Sequence, residues 1–192
     1  VAYRADLGEG IRRGALVPFR YFGLIDPTDY APIPWRNGRF DPEQLAAAIQ
    51  TQARMAKLWS AWQQHPASRT IVFCSTMTHA NFTRDWLEAK GLRVVSLHTG
   101  EGSADRADSL ERLEQGTLDA ICAVDLLNEG VDIKPVDRVV MLRPTASPVL
   151  FLQQLGRGLR TALGKTDLVV LDFVGNHHTF LTRMRSLLSL SS

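Results

Sequence analysis

Gln153, Arg157 and Arg160 recur at spacings of four and three within the run from Arg143 to Asn176. On a helix that spacing gathers an amide and two guanidinium groups on one face. A guanidinium suits a polyphosphate, because its planar fork of donors matches paired phosphate oxygens and stays charged at physiological pH. Gly156 and Gly158 stand beside these side chains. Each costs about 1 kcal/mol relative to alanine in a helix interior, so their presence fits a backbone that something must approach closely. The competing reading is a solvated helix face with two surface arginines.

The elements around this run must position it. Ser147 can cap a helix, Pro148 suits its first position, and Phe151, Leu152, Leu155 and Leu159 fall on a second face, which predicts a helix from Ser147 to Arg160. It lies between two apolar strands, Asp137 to Arg143 and Asp167 to Phe173. Three more apolar runs, Thr70 to Cys74, Arg93 to His98 and Leu118 to Val124, read as buried strands. Helices are expected between them, one capped by Thr78 and closed by Gly91, another capped by Ser103 and closed by Gly116, with a last helix over 177–190. Short apolar strands alternating with helices predict an α/β fold, a doubly wound and mostly parallel sheet of five to six strands covered on both faces. Ligands in that architecture sit beyond the carboxyl ends of the strands. Ser75, Thr76, Thr99, Gly100, the stretch from Asp125 to Asp132 and the arginine helix are all expected there.

Residues 1–40 hold several prolines and glycines and read as an extended lead-in or linker with one strand at Leu16 to Phe22. Trp35 and Phe40 are expected to anchor it, while Arg36 and Arg39 have no partner that sequence can name. Residues 41–192 then form the main domain. Asp41 caps and Pro42 opens one long amphipathic helix through Leu45, Ile49, Gln52, Met55, Trp59 and Trp62, ending near Pro66. The two tryptophans read as packing residues, since aromatics at helical spacing beside Leu and Met belong to cores.

Other constellations exclude more than they establish. The loop Val124 to Ile133 carries Asp125, Glu129 and Asp132 around Gly130, without metal-ligand spacing; a hydrogen bond from a ribose hydroxyl is the economical role for Asp132, and a plain turn is the alternative. Thr99 to Gly102 fails the dinucleotide pattern because Asp105 stands where a third glycine belongs. Hydroxyls and amides at Ser75, Thr76 and Thr99 could hold a nucleic-acid phosphate or merely cap helices. No HExxH pair, no GxxxxGK[ST] loop and no DExH motif occurs. With 192 residues, 45% hydrophobic, 22% charged and a net charge of +2, composition neither supports nor excludes nucleic acid as a partner. Cys74 and Cys122 lie in apolar strands without CxxC spacing, which points to buried thiols in a reducing cytoplasm. No apolar run is long enough for a membrane span, no signal-peptide pattern opens the chain, and the start at Val1 suggests an excised domain.

TIVFC followed by Ser75 and Thr76, AVDLLNEGVDI, and FLQQLGRGLR resemble motifs IV, V and VI of superfamily 2 helicases and translocases, in order and spacing. The His98 to Gly100 turn and the lead-in ALVPFRYFGLID are similar to the same family, closest to its DEAD/DEAH-like restriction and repair branch. The resemblance implies a RecA-like C-terminal lobe covering nearly the whole chain. It further implies that Arg157 and Arg160 reach the γ-phosphate of ATP held with Mg2+ on a separate N-terminal RecA-like lobe, with Gln153 beside them. Gly130 and Asp132 would contact nucleotide, and Ser75, Thr76, Thr99, Gly100 and the backbone of Asp125 and Leu126 would line a groove for nucleic acid, DNA rather than RNA. Asp125 stands near the place where the family often has threonine. Two other readings compete: a non-catalytic module that binds nucleic acid or protein, which would be expected to lose the motif VI arginines, and a small enzyme of its own, for which no nucleophile with a base is present.

Overall fold

Every residue of three short segments, Thr70–Phe73, Ala120–Ala123 and Arg138–Met141, is buried. Strands buried on both faces are what a parallel sheet between two helical layers requires. The computed structural model describes residues 11–37, 39–124, 136–144 and 160–175. In chain order the elements are β1 (Phe19–Ile25), β2 (Trp35–Arg36), β3 (Arg39–Phe40), α1 (Pro42–Ile49), α2 (Gln52–Gln64), β4 (Thr70–Phe73), α3 (Met77–Glu88), β5 (Val94–Leu97), α4 (Arg106–Glu114), β6 (Ala120–Ala123), β7 (Arg138–Met141) and β8 (Leu168–Val174). Six strands form one sheet in the order β1-β8-β7-β4-β6-β5, with every pairing parallel. All carboxyl ends therefore share one edge.

Strand alternation divides the core in two. Ile71, Phe73, Ile121, Val139, Met141 and Val170 face one layer, which α4 covers with Leu113. Val72, Cys74, Cys122, Val140, Leu171 and Phe173 face the other, covered by α2 through Met55, Leu58 and Trp62 and by α3 through Ala80 and Leu87. Both cysteines are free and buried, and burial pushes the Cys122 thiol up from its ordinary pKa. Trp62 is buried and Trp59 half-buried against Trp86, so the packing role expected for the tryptophans holds. Among the described residues no helix is long and apolar enough to cross a membrane.

Several local expectations are corrected. The helix expected to run unbroken from Asp41 toward Pro66 is two helices, because Gln50 and Thr51 leave helical geometry and the Thr51 hydroxyl accepts from Arg54 N as a second N-cap. The break follows packing: Leu45 and Ile49 belong to a third small core with Tyr30, Ile33 and Phe40, whereas Met55 and Leu58 face the sheet. Thr76, not Thr78, caps α3, accepting from His79 N, while the Thr78 hydroxyl bonds Thr76 and Gln50. Asp105, not Ser103, caps α4; the Ser103 hydroxyl instead accepts from His98 N. Gly91 and Gly116 close their helices at positive φ, as expected. The strand expected at Leu16 to Phe22 lies at Phe19–Ile25 and pairs with β8, so part of the lead-in is a strand of the main sheet. The helices expected at 147–160 and 177–190 fall outside the described residues, apart from Arg160, which is in an isolated antiparallel bridge with Leu16.

Candidate functional site

The chain leaves β4 at Ser75 and Thr76 and leaves β5 at Thr99 and Gly100. Because β6 lies between those strands, the two loops stand two strand spacings apart on the carboxyl edge, about 10 Å. Thr99 is exposed; Ser75, Thr76 and Gly100 are half-buried. The Ser75 hydroxyl is buried with no hydrogen-bond partner among the described residues, and the Ser75 backbone N–H donates to His79 Nδ1. The Thr76 hydroxyl accepts as a cap and shares a hydrogen bond with the Thr78 hydroxyl at 3.0 Å, which leaves it one bonding position to offer.

Side chains behind the edge fix both loops. Gly100 N donates to His98 Nδ1 at 3.2 Å, which places the ring proton on Nε2, 3.1 Å from Asn81 Oδ1. The same Asn81 oxygen accepts from Ser96 Oγ at 2.6 Å, and Arg84 donates to Ser96 Oγ at 3.0 Å. Loop, strand β5 and helix α3 are thus joined through one amide. A methyl on Gly100 would lie 2.6 Å from Met77 Sδ, so a larger residue here requires the exposed Met77 side chain to move.

A second set of contacts reaches the Ser75 loop from below. Arg54 and Asp26 are a buried ion pair, Nε to Oδ2 at 3.0 Å. Asp26 also accepts from Tyr30 Oη at 2.7 Å and Thr28 N at 3.0 Å. Arg54 donates to the Leu142 carbonyl at 2.7 Å, and its guanidinium lies 4.8 Å from the Phe173 ring centroid. Its Nη1 is 3.3 Å from His79 Nε2, while His79 Nδ1 accepts from Ser75 N at 3.2 Å. With Nδ1 accepting, the neutral ring carries its one proton on Nε2, facing the Arg54 guanidinium, and a second proton, on Nδ1, would also oppose the Ser75 N–H. Burial first, and the Arg54 charge second, hold the His79 pKa well below its ordinary value. Sequence reading missed this cluster. The available signal is Arg54 itself, which falls on the apolar stripe of α2 with Met55, Leu58 and Trp62.

Gln153, Arg157, Gly130, Asp132, Asp125 and Leu126 lie outside the described residues. Arg160 is exposed, and its backbone pairs with Leu16, three positions before β1 begins. It therefore stands toward the amino edge, which corrects the expectation that every candidate gathers at the carboxyl edge. The reason is topological: β8 is parallel to its neighbours, so a chain about to enter it at Leu168 must already have returned to the amino side. A cavity of about 500 Å³ also opens there, lined by Arg69, Asp137, Lys165 and Asp167. Burial lowers the Lys165 pKa to about 8 against the opposing pull of Asp137. Among the described residues no cluster of three His, Cys, Asp or Glu side chains could hold a metal.

Residues 50–162 match the model of the helicase conserved C-terminal domain, more than half of the chain. The chain belongs to this family. As a helicase C-terminal lobe it is 29% identical over 168 residues to UvrABC system protein B of Bifidobacterium longum, covering 84% of this chain and 21% of that protein. It is 25% identical over 142 residues to the DEAD-box ATP-dependent RNA helicase 35A of Oryza sativa, covering 74% and 22%. Its fold matches the ATP-dependent type ISP restriction-modification enzyme LlaBIII bound to DNA with a TM-score of 0.66 at 18% identity, over 98% of this chain and 15% of that one. The family and these likenesses place the lobe among superfamily 2 helicases with a RecA-like fold. The chain spans between 19% and 37% of the length of the first curated relatives it matches.

Proposed function

We propose that this chain is the second motor lobe of an ATP-dependent nucleic-acid helicase or translocase, tracking DNA rather than RNA. The observation that carries the reading is that the family match, residues 50–162, contains every candidate residue named from the sequence. The DNA preference draws on the likeness to LlaBIII, whose structure holds DNA.

In this reading Arg157 and Arg160 present guanidinium groups to the γ-phosphate of ATP, which supplies the free energy for movement and is held with Mg2+ on a first RecA-like lobe. Gln153, Gly130 and Asp132 complete the nucleotide contacts. The exposure of Arg160 fits such a reach, since a finger buried in its own lobe could not leave it. Phosphoryl transfer depends on positioning and charge neutralisation, and an arginine supplied by a separate body contributes about three to five orders of magnitude in rate. Hydrolysis then becomes conditional on closure of the two lobes. The carboxyl-edge loops at Ser75, Thr76, Thr99 and Gly100, with the backbone of Asp125 and Leu126, hold a strand by its phosphates, which gives affinity without sequence preference.

In the full-length protein, Arg157→Ala and Arg160→Ala are each expected to lower single-turnover ATP hydrolysis by about three orders of magnitude or more, leaving oligonucleotide affinity within a few fold. Parallel losses in hydrolysis and affinity would overturn the finger assignment. The 192-residue chain by itself is expected to bind ATP weakly and to hydrolyse it negligibly; robust turnover by it would overturn the division of labour.

A further inference from the structure

The β2–β3 hairpin places Arg36 directly opposite Arg39. Like charges facing each other across an antiparallel pair are destabilising, and neither guanidinium has an acidic partner among the described residues. The hairpin is nonetheless firmly built. Trp35 packs edge-on against Phe40 at 4.6 Å, Phe40 meets Tyr30 at 5.5 Å, and Asp41 N donates to Pro34 O at 2.9 Å. Asn37 takes the left-handed conformation that a tight turn needs, at φ 52. Two strands of two residues are marginal without such support. Violations of local rules that the surroundings hold in place mark functional positions.

The arginines border a concavity of about 330 Å³ whose walls include Asn37, Gln44 and Asp41. The Asp41 carboxylate is engaged as the cap of α1, accepting from Gln44 N at 3.0 Å, and the two guanidinium groups outnumber it. The hairpin is rooted on the carboxyl edge of the sheet. Its core includes Val174 at the end of β8, Tyr30 bonds Asp26 just beyond β1, and Gln50 beyond α1 bonds Thr78 in the first turn of α3. That is the edge that carries Thr76 and Thr99, and it is opposite the side where Arg160 stands.

We propose that Arg36 and Arg39 clamp phosphates of the nucleic-acid strand, extending the track over Thr76 and Thr99; this rests on the motor-lobe reading above. A strand phosphate fits better than a free nucleotide, because the concavity offers charge and no exposed ring for a base. It fits better than an acidic protein, because the part-exposed Thr76 and exposed Thr99 continue along the same edge with hydroxyls that suit phosphate oxygens.

The test is fluorescence anisotropy of the 192-residue chain with labelled oligodeoxythymidine over a salt series. Arg36→Gln/Arg39→Gln is expected to weaken binding and to reduce the slope of log affinity against log salt by about 1.4, two phosphates' worth of counterion release on a single strand. The thermal midpoint is expected to hold or rise as the opposed charges disappear, and Arg36→Lys/Arg39→Lys is expected to keep most of the slope. An unchanged slope in the glutamine variant, with Thr76→Asp still weakening binding, overturns the clamp and leaves the motor-lobe reading standing. Absence of oligonucleotide binding by the unsubstituted chain overturns both. Intact oligonucleotide binding with lost binding of polyglutamate would assign the pair to an acidic protein instead.

Discussion

Among the described residues two arginines are fully enclosed, one near each edge of the sheet, and they are neutralised differently. At the carboxyl edge Arg54 meets the Asp26 carboxylate, a strand-end carbonyl and the His79 ring. At the amino edge Arg138 has no carboxylate in contact among the described residues. It donates to Thr70 Oγ1 at 3.0 Å and to the Trp62 and His65 carbonyls at 3.2 and 2.9 Å, with its guanidinium 3.6 Å from the Trp62 ring centroid. Those carbonyls end helix α2, where a cation meets the negative end of the helix dipole. Burial lowers the Arg138 pKa to about 10, with nearby Asp137 pulling the other way. Arg138 thus caps one helix, whereas Arg54 joins four elements: the ends of β1, β7 and β8, and helix α3.

That contrast breaks most readily at Asp26. Asp26→Ala strands a buried guanidinium and is expected to cost about 3–5 kcal/mol, read from urea unfolding, while Arg138→Met removes a cation together with its own desolvation penalty and is expected to cost about 1–3 kcal/mol. Equal costs would erase the distinction. Acid should find the same edge. The His79 pKa is depressed on folding, so the unfolded chain takes up the proton first, and stability falls as pH drops below about 6.5, by up to about 1.4 kcal/mol per pH unit. His79→Gln is expected to flatten that dependence between pH ~6.5 and ~5, while Arg138→Met leaves it intact. The smallest effect separates capping from binding at Thr76: Thr76→Ala is expected to cost about 1 kcal/mol, whereas Thr76→Asp keeps a good cap and weakens oligonucleotide binding by repulsion.

The central strands were legible because burial on both faces leaves continuous apolar runs such as Ile71–Phe73, needing no periodicity. The carboxyl-edge placement of Ser75, Thr76, Thr99 and Gly100 followed from strand direction alone. What failed was decided by tertiary contacts. Ile49 and Met55 sit on one unbroken helical pattern, and only the existence of two cores separates them. Thr76 and Thr78 are both competent caps, and the choice depends on where β4 stops. The Asp26–Arg54 pair was invisible because its members are 28 positions apart with a hairpin between them. Arg160 was misplaced because the crossover was read by its beginning, whereas the entry to β8 fixes its end.

β1 and β8 adjoin although the Arg20–Asp167 contact between them spans 147 residues. A ribosome making this polypeptide exports β1 early and its sheet neighbour β8 late, so the sheet closes by annealing across nearly the entire length synthesised in between. Until then Tyr21 and Phe22 remain wet, and a slow translation step or a chaperone acting in that interval would have its greatest leverage on this seam.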